Sequence, residues 1–290
     1  MKKPKNVFVL IFIWIIVILL AMFIYKAASS KPAPPAGNYI VQQISHNATN
    51  NVASTPNETA DNTIAPKIKK SSKGLPILMY HCFYDKKTNT KSLDNNFTEI
   101  SAFEQQMKYL SDNNYYYPTW NEVYQFVEAK SSLPSKSVVV TIDDGDVSFF
   151  QLAVPILKKY NVKATSFLIT SFVDSKTIAE FKSPILDFES HSNNMHRAGK
   201  NGKGIFLSLS HDNAYKDLMA SQNLLGSHQV FCYPFGDYNT FTKNMLAETG
   251  YKLAVTTKPG RVYPGEDPLA LPRVRMSRGD TLDQFISRVK

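Results

Sequence analysis

Val138-Val-Val-Thr-Ile-Asp-Asp-Gly145 decides how the rest of this 290-residue sequence is read. Five residues without a charge, four of them β-branched and apolar, suit a strand buried on both faces, as in a parallel sheet. The run leads straight into two carboxylates and a glycine. Two adjacent acids at the end of a buried strand are costly unless something pairs or solvates them. In the plainest account, one caps the next helix and the other faces water. Successive strand residues point to opposite sides, so Asp143 and Asp144 are expected to divide roles. A glycosidase pair, which must flank a bond about 5 to 9.5 Å apart, fits adjacent residues poorly.

Outward from this stretch the pattern repeats. Strand-like apolar runs occur at Ile77 to Tyr80, Ala164 to Ile169, Gln229 to Tyr233, Leu253 to Val255 and Leu271 to Met276. Helical patterns lie between them. One starts at a Ser101-Ala-Phe-Glu104 capping box and another at Thr119-Trp-Asn-Glu122; others run from Phe150 to Tyr160, Asn213 to Leu225 and Thr240 to Glu248. Strand and helix alternating over residues 74–290 predict an α/β domain, either a parallel sheet or a barrel. In both, chemistry collects at the strand ends.

Three further segments carry reactive groups. Glu189-Ser-His191-Ser-Asn-Asn-Met-His196 places two of only six histidines in one hexapeptide. Five-residue spacing does not put them on one helical face, but they can converge across a strand end and the loop after it. Two imidazoles and a carboxylate make three ligands with positions left open, the arrangement of a catalytic metal. Val230-Phe-Cys-Tyr-Pro-Phe-Gly236 reads as a strand ending in a sharp turn, and Ile77-Leu-Met-Tyr-His81 leaves His81 at a strand end. Taken singly, a solvated loop histidine, a simple turn and a half-buried histidine would account for them.

Taken together, the segments resemble the polysaccharide deacetylase family, the NodB homology or carbohydrate esterase 4 group. Its Thr-Phe-Asp-Asp-Gly motif is matched by Thr141-Ile-Asp-Asp-Gly145, its His-Ser/Thr-x-x-x-His motif by His191 to His196, and its Pro-Tyr/Trp-Gly turn by Pro234-Phe235-Gly236. The Leu78-Met-Tyr-His81 opening, the Phe103 to Leu110 helix and Leu271-Pro-Arg273 are most similar to the branch that deacetylates poly-β-1,6-N-acetylglucosamine, with peptidoglycan deacetylases nearby. The resemblance implies a distorted (β/α) barrel and N-deacetylation of an N-acetylglucosamine polysaccharide. It implies Asp144, His191 and His196 as ligands of a divalent metal, zinc first and cobalt or nickel next, and Asp143 as the base. Arg273 would orient Asp143, the backbone N–H of Phe235 would help hold an oxyanion, and Tyr233, Pro234 and Phe235 would wall the sugar site. The family's closing Leu-x-Ile-x-His is missing, because no histidine follows His228. Arg273 and Arg275 cannot serve as acids, so His81 is the candidate proton donor. Two other readings stay open: a glycan-binding pseudoenzyme and an O-deacetylase of the acetylxylan esterase type.

Composition bounds the rest. Two cysteines, Cys82 and Cys232, exclude a disulfide framework or a multi-cysteine zinc module. They stand beside His81 and Tyr233, which leaves a disulfide between them open. The net charge of +9 is misleading, since residues 1–73 carry nine lysines against Glu58 and Asp61. The remainder is nearly neutral, with 24 basic and 22 acidic residues, so nucleic acid is not an expected partner. Lys2, Lys3 and Lys5 precede 19 apolar residues from Val7 to Tyr25, long enough for an uncleaved membrane helix with the domain outside. Residues 26–73, rich in Pro, Asn, Ser, Thr and Ala, read as a disordered tether. The expectation is a single-pass cell-membrane protein with an extracellular catalytic domain, compatible with a glycan synthase complex.

Overall fold

In the computed structural model, which describes residues 74–89, 93–199 and 202–290, the buried runs become seven parallel strands closed into a ring. The expected membrane helix at 1–25 and tether at 26–73 lie outside the described residues. Among the described residues, no helix is long and apolar enough to cross a membrane.

The ring runs β1 (Ile77–Tyr80), β4 (Val139–Ile142), β5 (Ala164–Leu168), β6 (Leu186–Ser190), β7 (Val230–Cys232), β8 (Leu253–Pro259) and β9 (Leu271–Arg275), and β9 returns to β1. Two short strands, β2 (Cys82–Tyr84) and β3 (Phe97–Glu99), form a separate parallel pair. The barrel is distorted in two places. β6 and β7 share a single register pair, Ser190 with Phe231, and the β8–β9 register slips between Val255 and Pro259.

Alternation along the strands sorts side chains to two sides. Val140 and Ile142 join Leu78 and Leu168 in a cluster with Phe103, Met107 and Leu110 of α1 (Ile100–Asp112). The intervening position, Val139, packs with Ile77, Phe167, Val230, Leu253 and Leu271 in the barrel interior. Burying each such side chain stabilises the fold by about 1.5–3 kcal/mol. The same parity carries Thr141 and then Asp143 inward. Helix α2 (Trp120–Val127) also belongs to the interior cluster, with Trp120 Nε1 donating to Thr165 Oγ1 at 3.0 Å.

The remaining α-helices among the described residues are α3 (Val154–Tyr160), α4 (Ser175–Phe181), α5 (His211–Leu225), α6 (Thr240–Glu248) and α7 (Leu282–Val289). Local departures from the sequence reading have physical causes. The Thr119–Glu122 capping box is present, but α1 is capped by Glu99 rather than Ser101, its carboxylate accepting from Ala102 N at 3.1 Å. Glu104 instead pairs with Lys159 at 2.7 Å. The helix expected from Phe150 begins as a π-turn, Phe149–Ala153. Pro155, which follows, has no N–H to give the preceding turn. Strand β6 was not anticipated, because its Leu-Asp-Phe-Glu-Ser sequence breaks the apolar residues with two acids, Asp187, which is exposed, and Glu189, which is buried. Both cysteines are free, which corrects the disulfide left open above: Cys232 is buried in the interior cluster and Cys82 sits on the separate strand pair.

Candidate active site

The inward parity of β4 brings Asp143 against Arg273 of β9. Arg273 Nη1 donates to Oδ1 at 2.7 Å and Nη2 to Oδ2 at 2.6 Å, a bidentate pair with Arg273 0% and Asp143 2% exposed. Such a pair is costly to bury unless every remaining donor is satisfied. Here each is: Nε donates to Thr256 O at 2.8 Å, Nη1 also to Thr141 Oγ1 at 3.0 Å, and Nη2 also to Cys232 Sγ at 3.3 Å. The guanidinium lies over the Phe167 ring, 5.9 Å from its centroid. Burial works against the Asp143 charge, but Arg273 more than offsets it and holds the carboxyl well below the usual carboxylate range. Asp143 is therefore an ionised, oriented carboxylate.

Asp144 leaves the strand with φ 74°, an uncommon conformation for a non-glycine residue that recurs at functional sites. Its side chain turns to the other cluster. His191 Nε2 stands 3.3 Å and His196 Nε2 3.5 Å from Asp144 Oδ1. That oxygen is buried and accepts no hydrogen bond of acceptable geometry. His191 is held in orientation because its Nδ1 meets the Cys232 carbonyl at 2.8 Å across the weak β6–β7 seam. Its Nε2 is thereby left for a ligand. A tetrahedral metal with bonds of about 2.0–2.1 Å has ligand edges of about 3.3–3.4 Å. The Asp144, His191 and His196 atoms, all within 4.8 Å of one another, fit such an ion. Asp143, His191 and Cys232 also cluster, but Asp143 and Cys232 are already engaged by Arg273.

The other sequence-derived residues divide. His81 reaches the site, with Nε2 3.8 Å from Asp143 Oδ2, and burial pulls its pKa below that of an ordinary imidazole despite the two nearby carboxylates. Phe235 is 41% exposed and stacks on His196 at 4.6 Å, its backbone at φ 61°. Tyr233 and Pro234 do not line an open site, contrary to expectation. Tyr233 is 0% exposed, donates its hydroxyl to Leu269 O at 3.1 Å and packs on Phe231; Pro234 is buried. On the turn after β7, only Phe235 is presented outward among these three.

The role of Cys232 escaped the sequence reading, which weighed it only as a partner for Cys82. Its carbonyl orients His191, and its thiol, whose pKa burial raises, donates to Asp143 Oδ2 at 3.5 Å. One residue thus touches both halves of the site. Nothing in hydrophobic periodicity marks it, because an interior cysteine reads as a small apolar residue.

A family profile described as polysaccharide deacetylase matches residues 130–254. Poly-beta-1,6-N-acetyl-D-glucosamine N-deacetylase from Staphylococcus aureus strain MRSA252 is 28% identical over 218 residues, 69% of this chain and 74% of that protein. Among solved structures, the Streptococcus pyogenes deacetylase PplD in complex with acetate is 27% identical and superposes with a TM-score of 0.65, covering 75% of this chain and 98% of that one. A polysaccharide deacetylase from Bacillus cereus is 26% identical with a TM-score of 0.61, covering 75% and 69%.

Proposed function

For a chain that is a member of the polysaccharide deacetylase family, we propose a metal-dependent hydrolase that removes N-acetyl groups from N-acetylglucosamine residues of an extracellular or cell-wall polysaccharide. One observation carries this reading: a metal-compatible Asp144–His191–His196 triad stands beside an ionised carboxylate, Asp143, that is not one of its ligands. Poly-β-1,6-N-acetylglucosamine is the substrate we favour, on the likeness to the staphylococcal enzyme; peptidoglycan presents the same acetamide.

A divalent ion held by Asp144, His191 and His196, zinc in our reading, supplies Lewis acidity at the acetamide carbonyl and the attacking water. The chain's own groups do the rest. Asp143 accepts the proton of the water, and Arg273 keeps its oxygens fixed and charged while it does so. His81, next to Asp143 and reached by solvent through 15% of its side chain, is neutral at rest; it takes up the proton that Asp143 received from the water and passes it to the departing amine nitrogen. Phe235 offers a ring face to the sugar, as aromatic groups do at carbohydrate sites, and its backbone N–H faces the developing oxyanion in this scheme.

The stretch from Val7 to Tyr25 supports a further part of the proposal, a membrane anchor that keeps the domain on the outer side near its polymer. The test is acetate release by the purified chain with zinc, on poly-β-1,6-N-acetylglucosamine and peptidoglycan in parallel. Release is expected from the first polymer, to cease on chelation and to be absent in Asp143→Asn. Release from neither would overturn the reading.

A further inference from the structure

The two histidines of the triad are joined by a loop whose backbone has little regular structure of its own. Ser192 sits at φ 70°, so the chain turns abruptly after His191 and must be held from outside to bring His196 back. On one side, Thr170 N and Ser171 N donate to the carbonyls of Ser192 and Asn193 at 3.1 and 3.0 Å. On the other, the loop's own N–H groups need acceptors. Asn193 N and Asn194 N, consecutive along the loop, donate to the two different oxygens of one carboxylate, Asp217 Oδ1 at 2.7 Å and Oδ2 at 2.8 Å. Charge-assisted bonds of this length are the strong ones. One helical turn further, Ser221 Oγ meets Ser190 Oγ at 2.7 Å, and Ser190 Oγ accepts from Ser192 N at 3.0 Å. Asp217 and Ser221 lie four residues apart on one face of α5.

We propose that Asp217 is the positioning residue of the metal triad: its carboxylate clamps the loop between His191 and His196 and so sets His196 against Asp144. The inference rests on the metal-dependent reading above and adds a residue outside the ligand set to it. Without the clamp, His191 keeps its place through the Cys232 carbonyl, whereas the His196 ring is held by its stack on Phe235, a contact that fixes its plane but offers no hydrogen bond to set the direction of Nε2. The loss is therefore one of pre-organisation in the third ligand. Outer partners of this kind change metal affinity by about 10- to 100-fold.

The test uses the full chain and zinc as the probe. Zinc affinity is measured by chelator competition in wild type, Asp217→Asn and a control, Asp212→Asn, which alters an exposed acid in the first turn of the same helix. An asparagine keeps the size of Asp217 but offers one acceptor and opposes the second N–H with its own. Asp217→Asn is expected to bind zinc about 10- to 100-fold more weakly, with its zinc-free melting temperature within about 3 °C of wild type, and Asp212→Asn to match wild type. Unchanged zinc affinity in Asp217→Asn overturns the clamp. So does collapse of its zinc-free fold, which would make the carboxylate a general structural support. A wild-type chain that takes up no zinc overturns the metal reading itself.

Discussion

Asp143 and Arg273 are bonded through both carboxylate oxygens although 130 residues separate them in sequence. Among the described residues, Arg273 forms a salt bridge with no carboxylate but Asp143. Removing one member of a buried pair strands the other, at about 3–5 kcal/mol. Arg273→Met is expected to lower stability by that order, read from the urea midpoint. It should also reduce the rate of acetate release more than a hundredfold, by order of magnitude for a displaced base. An unchanged midpoint would show that the pair is not what holds the interior together.

His81→Ala separates proton donation from metal binding. The variant is expected to keep its zinc content, because His81 is outside the Asp144–His191–His196 set, and to lose roughly 100-fold or more in kcat. Zinc content by atomic absorption alongside initial rates checks both halves. A near-normal rate would remove His81 from the mechanism.

Gly236→Ala probes the turn that presents Phe235. A Cβ at this position would lie 2.1 Å from Thr257 Oγ1 and 2.7 Å from Thr257 Cβ, on a backbone at φ +74°. The turn must shift, and Phe235, stacked on His196, shifts with it. The expected outcome is a destabilisation of about 1–3 kcal/mol, partly relieved by adding Thr257→Gly, as measured by thermal melting. Equal melting of Gly236→Ala and wild type would contradict it.

Glu189 gives a pH prediction. Burial raises its pKa from 4.5 to about 7, against the opposing bonds from Ser227, the Val230 backbone and Gln229, with the Asp187 charge adding to the rise. For an acid raised in the folded state, the native form holds the proton longer than the unfolded one. Stability is therefore highest below the unfolded pKa and falls as pH rises through about 7, by an amount on the order of 3 kcal/mol. Glu189→Gln, which does not titrate, should flatten that part of the stability curve between about pH 4.5 and 7. A variant with the same slope as wild type would place the titration elsewhere.

The order of strands and helices was legible because buried parallel strands leave uninterrupted apolar runs, as at Val138 to Ile142. The convergence of the four side chains was legible in part, because Asp143 and Asp144 follow such a run and His191 and His196 stand five residues apart, and their chemistry narrows what they can do together. Strand β6 was missed because Asp187 and Glu189 alternate with its apolar residues, which therefore never form a run. Tyr233 was misplaced because an aromatic beside a turn can face either way, and strand parity turned this one to Phe231 and Leu269. The roles of Cys232 and Asp217 were not legible for another reason. Each acts in part through a backbone group, the carbonyl of one and the N–H partners of the other, and backbone geometry is not written in residue type.

Strands β1 and β9 are neighbours in the ring, Leu78 beside Val274 and Met79 beside Arg275. The first ring strand to leave the ribosome therefore waits for the last. Until residues 271–275 emerge, the barrel has two open edges and Asp143 has no cation to meet it, so a chain stalled late in synthesis would expose strand edges and lack an assembled base. Activity should thus appear all at once after the final strand is released, and ending the chain before β9 would silence a site whose candidate metal ligands all lie upstream of the cut.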